Sequence, residues 1–119
     1  MGLKHVTAAI ANPIDPQRRA EVKLLVDTGA TFSIAPGQVM DELGISRTWT
    51  RRMRTADGRL IERDVGTARL DVDGATGDVP VIFGEPSDVM VLGVTGLEIL
   101  LLEFDPVRGE LRPTEALFL

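Results

Sequence analysis

The chain has 119 residues, 44% of them apolar, enough for one domain around a modest core and too few for two lobes of ordinary catalytic size. It has no cysteine and a single histidine, His5, which excludes a disulfide framework, thiolate metal sites and any multi-histidine zinc centre. Its 18 acidic residues against 13 basic give a net charge of −5, the wrong sign for binding nucleic acid through bulk charge.

Glycines and prolines divide the chain into short segments, which favours strands over long helices. Lys4–Ile10 alternates as a strand, and Asn12-Pro13-Ile14-Asp15-Pro16 is a loop because its prolines fix φ and remove donors. From Ala20 to Asp27 the alternation is cleaner, with Val22, Leu24 and Val26 on one face and Glu21 and Lys23 on the other. Leu25 on the second face predicts burial on both sides at the end of this strand. Thr28-Gly29-Ala30 breaks it, and Phe32–Ala35 resumes strand briefly. Pro36–Leu43 is a predicted helix, with proline at the first helical position and Gly44 as the stop.

Thr48–Ala56 and Arg59–Asp64 are predicted as a hairpin turned by Asp57-Gly58, a preferred two-residue turn. Further strands are expected at Thr67–Val72 and Val79–Phe83, separated by Asp73-Gly74-Ala75-Thr76-Gly77. Asp71-Val72-Asp73-Gly74 fails as a calcium loop, because position 69 is Arg69 and no glutamate stands at the required spacing. Val89–Leu92 is a short apolar strand ending at Gly93. Thr95-Gly96-Leu97-Glu98 has the form of a capping box and predicts a helix from Gly96 to Leu101. Asp105–Gly109 is a turn between two last short strands. The sum is all-β and mostly antiparallel, with six to nine strands and two small helices.

Leu24-Leu25-Val26-Asp27-Thr28-Gly29-Ala30 carries the chemistry. An aspartate at the end of a buried apolar strand is costly unless its charge is shared or hydrogen-bonded. Gly29 lets the backbone turn an amide toward that carboxylate, and Thr28 offers a hydroxyl to lock the loop. The segment resembles the active-site strand and loop of the retropepsin-like aspartic peptidases. Asp57-Gly58 with its flanking strands lies where that family has a flap hairpin. Val91-Leu92-Gly93, before a short helix, resembles its second apolar-apolar-glycine signature. Leu97-Glu98-Ile99-Leu100 and Phe104-Asp105-Pro106 have the look of small prokaryotic members. The chain departs from the viral members at Val94 and Thr95, where they carry Arg and then Asn or Asp.

The resemblance implies a closed acid-protease-like β barrel, one lobe per chain, with residues 1–119 as a single domain. It implies an aspartic endopeptidase with Asp27 catalytic, Thr28, Gly29 and Ala30 supporting the loop, and Asp57 and Gly58 at the flap. No metal and no cofactor are expected. Asp-Thr-Gly occurs once, so the second carboxylate has to come from a second copy, making a homodimer whose substrate is a polypeptide. The apolar Leu117-Phe118-Leu119 suits an interface strand. The alternative is a catalytically inactive dimerisation or peptide-binding module on the same fold.

Asp57 is read as a turn former rather than a second acid. Arg47, Arg51, Arg52, Arg54, Arg59 and Arg63 crowd the hairpin. They are read first as a solvated face and second as a docking surface for an acidic peptide or nucleic acid. Val89–Leu102 is too short to cross a bilayer and carries Glu98, and residues 1–6 lack an apolar core or cleavage site, so a soluble, cytoplasmic protein is expected.

Overall fold

The computed structural model describes residues 4–118. Period-2 alternation is obeyed in the first two strands: β1 (His5–Ala11) buries Val6, Ala8 and Ile10, and β2 (Arg19–Val26) buries Val22, Leu24 and Val26. The two pair antiparallel from His5↔Leu25 to Ala11↔Arg19. β3 (Ser33–Pro36) leads into α1 (Gly37–Glu42), for which Pro36 is the flanking cap rather than the first helical residue. Gly44, at φ +74°, ends that turn as a left-handed stop. There follow β4 (Trp49–Arg54), β5 (Leu60–Val72), β6 (Ala75–Gly84), β7 (Val91–Leu92), α2 (Val94–Leu100), β8 (Leu102–Asp105) and β9 (Glu110–Pro113).

The pairings close on themselves. β2 with β7 and β3 with β6 are parallel; the other pairs are antiparallel. Because β1 also pairs with β5, from Ala9↔Asp71 to Ala11↔Arg69, the run β1-β2-β7-β3-β6-β5 returns to β1 as a ring. This is the mostly antiparallel, closed β architecture expected from the sequence. β4 hangs outside the ring on β5, and β8–β9 forms a separate ribbon. Ile10, Leu24, Leu70, Val79, Val81 and Leu92 share one apolar cluster with Met40 of α1 and Leu97 and Leu100 of α2. Each such side chain contributes about 1.5–3 kcal/mol by leaving water.

Three local expectations are corrected. The strands expected at Arg59–Asp64 and Thr67–Val72 are one continuous β5. Gly66 is no break: a Cβ there would lie 2.3 Å from the Ser46 carbonyl oxygen, so glycine lets that loop approach. The two-residue turn belongs to Asp73-Gly74, where both residues have positive φ (53° and 86°) and Val72 pairs with Ala75. At the other Asp-Gly only Gly58 is left-handed (φ +88°), and Thr55 pairs with Arg59 around a three-residue loop, Ala56-Asp57-Gly58. Finally, α2 begins at Val94 with Gly93 as its cap and no side-chain cap bond. Thr95 is therefore already inside the helix and cannot close the expected capping box.

Candidate active site

β2 ends at Val26, and the next amide, Asp27 N–H, still donates to the Leu92 carbonyl at 3.0 Å. Alternation then decides where the carboxylate goes. Val26 points inward, so Asp27 points out, and its side chain is exposed rather than buried as the apolar run suggested. The Gly29 amide donates to Asp27 Oδ1 at 2.9 Å, and the Ala30 amide donates to the Asp27 carbonyl at 3.2 Å. The carboxylate is thereby fixed by backbone and presented to solvent.

Thr28 is exposed, and among the described residues its hydroxyl makes none of the bonds that hold this loop. The lock comes from behind. The Val94 and Thr95 amides, at the start of α2, donate to the Ala30 and Thr31 carbonyls at 2.8 and 3.1 Å. Helix N-termini carry unsatisfied donors, and here the loop's carbonyls satisfy them. Ser33, which the sequence reading passed over, is fully buried, and its hydroxyl accepts the Gly93 amide at 3.0 Å. A hydroxyl on the inward face of a strand, alternating with Ala35, was the available signal.

Between this loop and the β4–β5 hairpin lies a cleft of about 650 Å³. Asp27, Gly29 and Ala30 line one side of it, and Met53, Arg54, Thr55 and Ala56 line the other. Ile34, Ile61, Ile82, Val89 and Val91 make its walls apolar. On β6 the alternation serves both purposes, since Val81 and Phe83 join the core cluster while Ile82 faces the cleft. The shoulder of the hairpin, not its tip, borders the site: Asp57 and Gly58 do not line the cleft, and neither does Thr28.

Ion pairs fix the hairpin at three levels. At the tip, Asp57 accepts from the Thr55 hydroxyl and from Arg59, which hold its carboxyl below the usual range. At the base, Arg47 bridges Asp41 (2.8 Å) and Asp64 (3.0 Å) while its guanidinium stacks 4.3 Å over the Phe83 ring. In the cleft wall, Arg63 grips Asp88 with two parallel bonds of 2.8 and 2.9 Å, tying β5 to the loop before β7. Arg63 pulls the Asp88 carboxyl below its ordinary value. Among the described residues, no group of three or more His, Asp or Glu is placed to hold a metal ion. No helix among them is long and apolar enough to cross a membrane.

The family model described as "Aspartyl protease" matches residues 6–96, from β1 into α2. The solution structure of the Simian Foamy Virus (mac) protease is similar in fold, with a TM-score of 0.55 at 20% identity, over 80% of this chain and 92% of that one. No curated protein sequence matches the chain.

Proposed function

The chain belongs to the retropepsin-like aspartyl protease family, and from that premise we propose that it is an endopeptidase acting as a homodimer, with Asp27 of each copy in the catalytic pair. One observation carries this: the chain's single Asp-Thr-Gly presents an exposed carboxylate at an apolar-walled cleft, on a loop fixed from behind.

Hydrolysis of an amide by water needs a base for the water and an acid for the leaving nitrogen. One carboxylate cannot be both at the same moment. Two held close together share a proton, because like charges at that separation do not both ionise, and one then serves each role, as in aspartic proteases generally. The ionised Asp27 takes a proton from water as its oxygen bonds the peptide carbonyl carbon. The protonated Asp27 gives its proton to the nitrogen as the C–N bond breaks. A twofold axis beside Asp27 supplies the mate.

Thr28, exposed and with its hydroxyl unbonded among the described residues, then meets its counterpart across that axis. Leu117 and Phe118, 90% and 100% exposed, offer apolar surface for a partner to cover. Leu119, grouped with them in the sequence, lies outside the described residues. An extended substrate enters between the Asp27 loop and the hairpin shoulder, where Met53 and Ile61 face it.

The test is Asp27→Asn against an unbiased peptide library. Cleavage is expected to fall to background while circular dichroism and solution mass stay unchanged. Cleavage at the parent rate would refute the assignment, and a parent protein that binds peptides without releasing products would make it the inactive module.

A further inference from the structure

Four charged residues line the cleft: Asp27, Arg54, Arg63 and Asp88. Arg63 and Asp88 are spent on each other. Asp88 Oδ2 also accepts the Glu85 amide at 2.8 Å, and Arg63 Nη1 donates to the Glu62 carbonyl at 2.8 Å. That pair is a saturated tether with little left for a ligand. Asp27 belongs to the chemistry. Arg54 remains.

The Arg54 guanidinium makes one hydrogen bond, at 2.7 Å to the Gly58 carbonyl, and meets no carboxylate among the described residues. A guanidinium carries about five N–H donors, so most of this fork is unused. Among the described residues, Arg51 and Arg52 on the same strand also form no ion pair with a carboxylate. Every arginine from Arg59 onward has one. Across the β4–β5 ladder Arg52 faces Glu62, whereas Arg54 faces Leu60, so no acidic side chain directly opposite offsets the Arg54 charge.

We infer that Arg54 is a specificity residue: the cleft takes an extended polypeptide carrying an acidic side chain that reaches the Arg54 fork, beside an apolar side chain lodged against Ile34, Ile82 and Val91. The inference rests on the peptidase function proposed above. A peptide fits better than nucleic acid for two reasons. The cleft wall carries one aromatic ring, Phe32, among aliphatic side chains, which makes no row of rings for bases to stack on. Among the described residues β4 pairs only with β5, so its other edge offers backbone groups to an added strand.

The experiment compares peptides that differ only in Glu, Gln or Lys at one flanking position, each position in turn. They are presented to the parent chain and to Arg54→Gln, Arg54→Glu and Arg54→Lys. At one position the parent is expected to favour Glu over Gln by about tenfold in kcat/KM. That ratio falls to about one in Arg54→Gln, since a neutral amide loses the charge-assisted part of the bond. It turns toward Lys in Arg54→Glu and is partly kept in Arg54→Lys.

The preference for Glu fades as pH drops through about 4.3, where the peptide carboxyl protonates, while a cysteate peptide keeps it. The Asp27→Asn protein, titrated with the same peptides fluorescently labelled, separates this inference from the one beneath it. A Glu preference in binding with no cleavage by the parent keeps the Arg54 inference and removes the peptidase. Asp27-dependent cleavage with equal rates for Glu and Gln does the reverse. Absence of a preference in both assays, survival of the preference in Arg54→Gln, or displacement of peptide by a single-stranded DNA decamer held at these arginines overturns the Arg54 inference.

Discussion

The Gly93 amide donates to the buried Ser33 hydroxyl at 3.0 Å, joining the cap of α2 to the start of β3, 60 positions apart. Together with the Val94 and Thr95 amides on the Ala30 and Thr31 carbonyls, it makes the backbone behind Asp27 a fixed bed. The carboxylate is oriented by main-chain groups, which have few rotamers to lose.

Removing that hydroxyl leaves the Gly93 N–H buried and unpaired. Ser33→Ala is expected to lower stability by about 1–3 kcal/mol. Urea unfolding checks it: the midpoint should fall with little change in slope. An unmoved midpoint would mean that the bond contributes nothing net.

Gly93 admits no larger residue. A Cβ there would lie 2.5 Å from the Phe32 carbonyl oxygen and 2.8 Å from that of Ala30, both backbone atoms. Gly93→Ala is therefore expected to cost about 1–3 kcal/mol and to shift the Asp27 loop. Thermal unfolding and steady-state kinetics should show a lowered Tm and a fall mainly in kcat. Retention of both would contradict the packing described.

Asp88 ties stability to pH. Arg63 holds its carboxyl below the ordinary value, so the unfolded chain binds that proton more readily than the folded one. Its stabilisation is complete above the unfolded value near pH 3.9 and is lost as pH falls through the lower folded value. Asp88→Asn should remove about 2 kcal/mol at neutral pH, the side chains being 13% and 17% exposed, and should flatten the acid limb of the stability curve. An acid limb identical to the parent's would show that the pair is not coupled to folding.

How much was legible in the sequence depended on whether a signal was local. Alternation in Val22-Lys23-Leu24 is local, and β2 formed where it predicted. The Asp27 loop was legible because Asp-Thr-Gly after an apolar strand states its own turn chemistry. Asp57-Gly58 and Asp73-Gly74 are the same dipeptide with different turns, since the residues before them set the loop length and the dipeptide does not. Thr95 reads as a cap until Gly93 and the Ala30 carbonyl start α2 earlier. The gap expected between Asp64 and Thr67 is filled by Val65-Gly66, and Gly66 makes room for Ser46, distant in sequence. Ser33 was missed for the same reason: its partner is 60 residues away.

The most direct test mixes parent and Asp27→Asn chains at equal concentration under conditions of free exchange and compares the activity with that of parent alone at its own total. A site built from two copies leaves only parent–parent pairs fully active, about a quarter of all dimers, so activity per total chain should fall to about a quarter. A fall to one half, tracking the amount of parent chain alone, would mean that each copy works by itself and would contradict the shared site.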